Sequence, residues 1–154
     1  MSFTSQDAQA IFDQGFAPWV RALALTITDI SPTSATLHMP ITSELTRMGD
    51  VLSGQALAAL ADTAMVFACA GLFGKMRPVA TTNLELQFLR PGLGEAIICT
   101  AQIVKPGRSL IFTRASLCAA PSGKEVATAT ATFHLPAAAA PALAARDTAQ
   151  RTTP

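Results

Sequence analysis

Charge is scarce in this chain. Asp, Glu, Lys and Arg make up 14% of its 154 residues against 50% apolar residues, and the formal net charge is +1. A chain this apolar buries a core instead of staying disordered, and its length suits one domain that needs no covalent staples. No basic block stands out, so the electrostatic footprint of a nucleic-acid or anionic-membrane binder is missing. Cys69, Cys99 and Cys118 are odd in number and lack metal-ligand spacing. They read as buried thiols of a reducing compartment, with neither a disulfide frame nor a metal site expected. Met1 to Asp7 shows no basic region ahead of an apolar stretch, so no secretory leader is expected and the cytoplasm is the expected location. There is no Gly-rich phosphate cradle and no internal repeat.

What is present has a clear order. Ser5 to Gln14 has helical spacing in Ala8, Ile11 and Phe12, with Ser5 as a candidate cap. Pro18 and Trp19, the latter a packing or interface residue, lead into an extended stretch, Ala22–Ile30. A turn at Ser31-Pro32-Thr33 and the alternation Ala35, Leu37, Met39 complete a hairpin. A polar connection, Ile41–Asp50, precedes a long apolar helix predicted from Ser53, a good N-cap, to Phe73, with Gly74 after it. The pattern then switches to period two. Four extended segments are separated by Pro91–Gly94, Lys105–Arg108 and Pro121–Lys124, and they read as a four-strand meander. The expected class is α+β: one long helix against one face of an antiparallel sheet of about six strands. From Pro136 the chain becomes Ala/Pro-rich and reads as a disordered tail. The segments are thus 1–15 (helical), 16–135 (the domain) and 136–154 (the tail).

Val51–Phe73 is apolar enough to suggest a membrane span, but it holds Asp62 near its middle, where a carboxylate costs about 2.5–3.5 kcal/mol to insert. A core helix is the better reading. Between Asp50 and Lys75, Asp62 is the only ionisable acid or base. Its neighbours three and four residues away are Ala58, Ala59, Met65 and Val66, which do not make a solvated stripe. Burial raises the pKa of such a carboxylate. It either bonds a nearby hydroxyl with no further role or does chemistry, and the pattern alone leaves these even. At the helix start, Ser53 and Gly54 would leave backbone N–H groups free at the positive end of the dipole, a seat for a developing oxyanion. The eight residues from Gly54 to Asp62 span about 12 Å on one helix. One reacting carbonyl cannot touch both. If they cooperate, Asp62 must meet the helix start of a second copy, most simply across a two-fold axis.

Gly49-Asp-Val-Leu-Ser-Gly54, Leu60-Ala-Asp-Thr-Ala64, Phe88-Leu-Arg-Pro91 and Pro106-Gly-Arg108 together resemble the hotdog-fold acyl-CoA thioesterases of the PaaI-like group. The resemblance runs from about Phe16 to Leu135. It implies a long helix wrapped by an antiparallel sheet, sheets paired edge to edge in homodimers, and in many members homotetramers. It implies Asp62 as the carboxylate that activates water or attacks the thioester, Gly54 as the oxyanion donor, and Thr81, with Thr82 a near-equal candidate, as the hydroxyl that orients the water. The family's usual His-Gly-Gly is here Ser53-Gly54-Gln55, and a position often Asn aligns with Arg47. Ser53, Gln55 and Arg47 are therefore candidate substrate contacts, and Lys105 and Arg108 (with Arg90 and Arg114 behind them) could meet the phosphates of coenzyme A. No cofactor is expected, coenzyme A being part of the substrate.

The expected function is hydrolysis of an acyl-CoA or related thioester to a free acid and a thiol. Two alternatives stand beside it. One is a non-catalytic acyl-CoA-binding or dimerisation module on the same fold, favoured by the departure from His-Gly-Gly. The other is an acyl-thioester hydratase, which would need a catalytic His, and neither His38 nor His134 has a matching context.

Overall fold

The computed structural model describes residues 2–137. Its main sheet contains β1 (Thr26–Ile30), β2 (Ser34–Pro40), β5 (Ala80–Phe88), β6 (Ala96–Pro106), β7 (Leu110–Ala120) and β8 (Glu125–His134). The strand order is β1-β2-β6-β7-β8-β5, antiparallel throughout. Period-two alternation sends Leu37, Met39, Ile97, Cys99, Leu117 and Phe133 to the inner face, where they are fully buried. The outer face carries the Thr and charged residues between them.

The inner face holds α3, Gly54–Phe73. Ser53 caps it by accepting from the Ala56 N–H at 3.3 Å, and Gly74 ends it in the left-handed region at φ 65°. By length and hydropathy α3 could cross a membrane, but Leu60, Ala61, Ala64, Met65, Phe67 and Ala68 have no solvent exposure. It is the core helix of a sheet. It packs chiefly on β2 and β6. Ala127, Ala129 and Ala131 of β8 are buried on the same inner face of the sheet. At its far end α3 docks on the β1–β2 turn, where a Cβ on Gly71 would overlap the Ser31 carbonyl oxygen.

Four sequence expectations are corrected. The first helix, α1 (Ser5–Gly15), is capped by Thr4, not Ser5: Thr4 and Asp7 exchange side-chain and backbone bonds in a capping box. Ala8 and Phe12 of α1 belong to the main core, so the segment packs as part of the domain. Ala22–Ile30 is not one strand, because Pro18 starts a short helix, α2 (Pro18–Arg21), and β1 begins only at Thr26. Trp19 on α2 is 65% exposed and packs little. The connection Ile41–Asp50 contributes to a two-stranded ribbon, β3 (Thr46–Arg47) with β4 (Val51–Leu52). Finally, β5 pairs with β8, not with β6, so only β6, β7 and β8 form a meander. Of the expected tail, residues 138–154 lie outside the described residues.

The two sheet edges differ. Along β1, Gln9 of α1 acts as a substitute strand: its Oε1 accepts from the Ile27 N–H at 2.8 Å and its Nε2 donates to the Leu25 carbonyl at 3.1 Å. β1 also has a register irregularity between Ile27 and Asp29, a device that blunts an edge. β5 is nine residues long and exposed or half-exposed throughout, and no other element lies along its free side among the described residues.

Candidate active site

The least covered face of α3 is a stripe of Gln55, Ala58, Ala59, Asp62 and Val66 at helical spacing. Met65, expected on the Asp62 face, is instead fully buried. Asp62 sits half-buried in that stripe, and Thr81 of β5 donates its Oγ1 hydrogen to Asp62 Oδ1 at 2.9 Å. Burial pushes the Asp62 carboxyl above the ordinary value, and the Thr81 bond pulls it partly back. Thr82 is placed differently. It occupies a bulge in the β5–β8 pairing, and its Oγ1 donates to the Thr132 carbonyl at 3.1 Å. Of the two hydroxyls left open by the sequence, only Thr81 touches the carboxylate.

At the start of α3 the first backbone donors divide. The Ala56 N–H goes to Ser53 Oγ, and the Leu57 N–H to the Ser53 carbonyl at 3.3 Å. The N–H groups of Gly54 and Gln55 find no acceptor among the described residues, and both lie at the positive end of the helix dipole. Next to them is a hollow of about 330 Å³ lined by apolar Leu52, Leu57 and Pro91, with Arg47 and Arg90 also on its wall. Arg90 is tied down by a 2.7 Å bond to the Glu125 carbonyl. Over Gly54 lies the ring of Phe88: a Cβ built on Gly54 would stand 3.3 Å from its Cζ and 3.4 Å from its Cε1. Within one chain Gly54 and Asp62 share α3 but stay about 12 Å apart along its axis.

The remaining candidates are dispersed. Lys105 and Arg108 are exposed at the β6–β7 turn. That turn neighbours the Thr81 end of β5, because Leu110, His134 and Ala80 stand in adjacent register. Arg114 points to the outer face, where its Nε donates to Gln102 Oε1 at 3.1 Å. A second hollow, about 400 Å³ and lined by Glu85, Gln102, Arg114, Ser116 and Glu125, opens on that outer face and reaches neither Asp62 nor Gly54. His38 and His134 flank buried inner-face residues and so also face outward, which leaves Asp62 without an imidazole partner. Cys69 and Cys99 are buried and their thiols are pushed up to about 12, so they are poor nucleophiles. No group of three His, Cys, Asp or Glu that could hold a metal occurs among the described residues. Two features escaped the sequence reading. They are the free Gln55 N–H, which only the assignment of Ser53 to Ala56 reveals, and the seating of Phe88 on Gly54.

A long helix laid against an antiparallel six-strand sheet is the hotdog architecture of the thioesterases this chain superposes on. Residues 46–134 match the family described as acyl-CoA thioesterase N-terminal domain, and the chain belongs to that family as a thioester hydrolase. It is 28% identical to human acyl-coenzyme A thioesterase 13 over 114 residues, 72% of this chain and 79% of that one. A thioesterase family protein from Silicibacter pomeroyi superposes with a TM-score of 0.71 at 30% identity, covering 82% of this chain and 93% of the other. The PaaI protein of E. coli, from the phenylacetic acid degradation operon, shares the fold at a TM-score of 0.74 and 23% identity, over 86% and 92% of the two chains.

Proposed function

We propose that this thioesterase hydrolyses an acyl-CoA in a site shared by two chains, with Asp62 of one protomer as general base and the Gly54 N–H of its partner as oxyanion donor. The observation that carries the reading is the Thr81–Asp62 bond at the middle of α3, about 12 Å along the helix from the free amides at its start. Having given its hydrogen to Asp62, Thr81 Oγ1 still has lone pairs to accept from a water, which Asp62 Oδ2 can deprotonate. The negative oxygen that forms on the thioester carbonyl then needs a donor, and the amides of the same chain are too far along the helix. The thiolate of coenzyme A leaves as the tetrahedral intermediate collapses to the free acid.

Strand β5 supports the shared site. Thr81, beside Asp62, is near its beginning, and Phe88, on Gly54, is at its end. Two copies of β5 paired antiparallel about the Leu84–Glu85 junction set Thr81 of one chain opposite the partner's Phe88. Each Asp62 then meets the partner's helix start, and two equivalent sites form. Lys105 and Arg108, near the Thr81 end, are the cations placed for the phosphates of coenzyme A, and the acyl group runs into the hollow beside Gly54. Assembly beyond the pair, to a tetramer, adds nothing to this chemistry. The three unpaired cysteines fit a reducing, cytoplasmic setting.

Mixing two inactive variants tests the shared site. Asp62→Asn and Gly54→Pro are each expected to be inactive alone. Refolded together, they form hybrid dimers with one intact site, restoring roughly a quarter of wild-type activity. Two inactive variants that give no recovery on mixing place both groups in one chain and overturn the reading. Single-turnover hydrolysis in ¹⁸O-water puts the label in the product acid if Asp62 is a base, and in Asp62 itself if it is a nucleophile.

A further inference from the structure

We propose that Phe88 is the residue that sets which acyl groups this enzyme accepts, and that it restricts them to compact ones, short-chain or single-ring aromatic. The inference rests on Gly54 being the oxyanion donor.

Phe88 shares the inner face of β5 with Leu84 and Leu86, which are half-buried, yet Phe88 itself is 58% exposed. A benzyl side chain on a core-facing position that the core does not cover is available for another contact. Its ring tip lies at van der Waals distance from the Gly54 position. A carbonyl oxygen held by the Gly54 N–H would sit about 2.9 Å from that nitrogen, so the first carbons of the acyl group must pass along the ring. The hollow beyond has Arg47 and Arg90 on its wall and, between them, the apolar side chains of Leu52, Leu57 and Pro91, which suit an acyl chain. At about 330 Å³ it is near the small end for ligand sites. Phe88 is the one aromatic side chain on its wall, and it stands at the end where the thioester is held. A long chain must thread past that ring to reach the hollow, whereas a compact one need not. A planar acyl group can lie against its face.

The test is a selectivity profile. Acetyl-, hexanoyl-, phenylacetyl- and dodecanoyl-CoA are assayed for kcat/KM with the wild type, Phe88→Leu and Phe88→Ala, with Kd for the matching non-hydrolysable thioether analogues. Removing the ring is expected to raise the dodecanoyl-to-hexanoyl ratio by about tenfold or more, as gaining room for added methylenes does. It should lower the phenylacetyl-to-hexanoyl ratio, with Phe88→Leu intermediate in the first and low in the second. Ratios that stay constant while all rates and affinities scale together overturn the proposal and make Phe88 a structural residue only. If the wild type binds the analogues but turns over no ester, a shifted Kd ranking upholds the acyl role of Phe88 while hydrolysis through Asp62 falls. If it hydrolyses esters with an unshifted ranking, the reverse holds. Should Phe88→Ala fail to fold, Phe88→Leu carries the comparison, since it keeps an apolar side chain on the same face.

Discussion

The two outer strands of the sheet have opposite fates. At β1, a single glutamine from α1 takes up a backbone donor and a backbone acceptor, and the register with β2 is interrupted between Ile27 and Asp29. At β5, nine residues present an uncovered edge, and both halves of the candidate site sit on that strand, Thr81 near one end and Phe88 at the other. Long open edges invite pairing, and proteins usually blunt them. One edge is closed and the other, which carries Thr81 and Phe88 of the candidate site, is left open. The difference teaches where the sheet can still extend: among the described residues only β5 offers a long uncovered edge, which is the edge the proposed pairing uses.

The sharpest way to break this comparison is at the carboxylate beside the open edge. Asp62→Asn removes the base and should lower kcat by at least about a hundredfold. It should not lower Tm. In the folded state the Asp62 pKa is raised, so the native protein binds this proton more tightly than the unfolded chain does. The stability contribution of the protonated carboxyl is therefore greatest at low pH and fades as pH rises through the raised folded value. Near neutrality the native state carries a half-buried charge, and Asn removes that cost while still accepting from Thr81. Thermal melts at pH 7 and pH 4 check both halves, since any gain from Asn should be larger at pH 7.

Next in size is the amide at the helix start. Gly54→Pro deletes one N–H and keeps a residue type that helices tolerate at their first position. Ser53, with φ −67° and ψ 145°, already has the extended backbone that a following proline requires. The change should cost about 10²–10³ in kcat, with circular dichroism unchanged apart from a displaced Phe88 ring. A full loss of helix would instead make Gly54 a packing residue.

Thr81→Val should lower kcat/KM by about tenfold, the worth of one hydrogen bond to a charged group. It should also move the acidic limb of the pH profile upward, because the bond that holds the Asp62 pKa down is gone. Thr82→Val, whose hydroxyl bonds the Thr132 carbonyl, should leave that limb in place. The smallest effect belongs to the closed edge. Gln9→Ala should cost about 1–2 kcal/mol of stability by urea unfolding, leave kcat unchanged, and raise aggregation at high concentration as the β1 edge opens.

Much of this was legible in the sequence because it is local. Ser53 and Gly74 mark the ends of α3 by their own conformational preferences, and Asp62 stands out since no other charge lies within the helix. The period-two runs of β5 to β8 gave the strands. What stayed hidden depends on distant partners. Thr81 and Thr82 are chemically equivalent, and only the bulge opposite Thr132 turns one toward Asp62 and the other away. Nothing local says that β5 pairs with β8, since the pairing must cross the two intervening strands. Phe88 was visible as part of Phe88-Leu-Arg-Pro91, yet its place on Gly54, thirty-four positions earlier in the chain, follows only from how strand and helix cross. Pro18 misled in the other direction, since a proline that can end an extended run can equally start a helical turn.

That one strand holds Thr81 and Phe88 near its two ends has a consequence for assembly itself. A strand pair can slip by two residues and still keep its backbone bonds and its inner and outer faces. In the proposed dimer such a slip would carry Thr81 about 7 Å away from the partner's Phe88 ring and Gly54 amide, and by symmetry it would do so at both sites together. Many dimers of this chain can be written down, but only one register would build the shared site proposed above. On that reading turnover would report on docking, with β5 as the ruler against which each copy measures its partner.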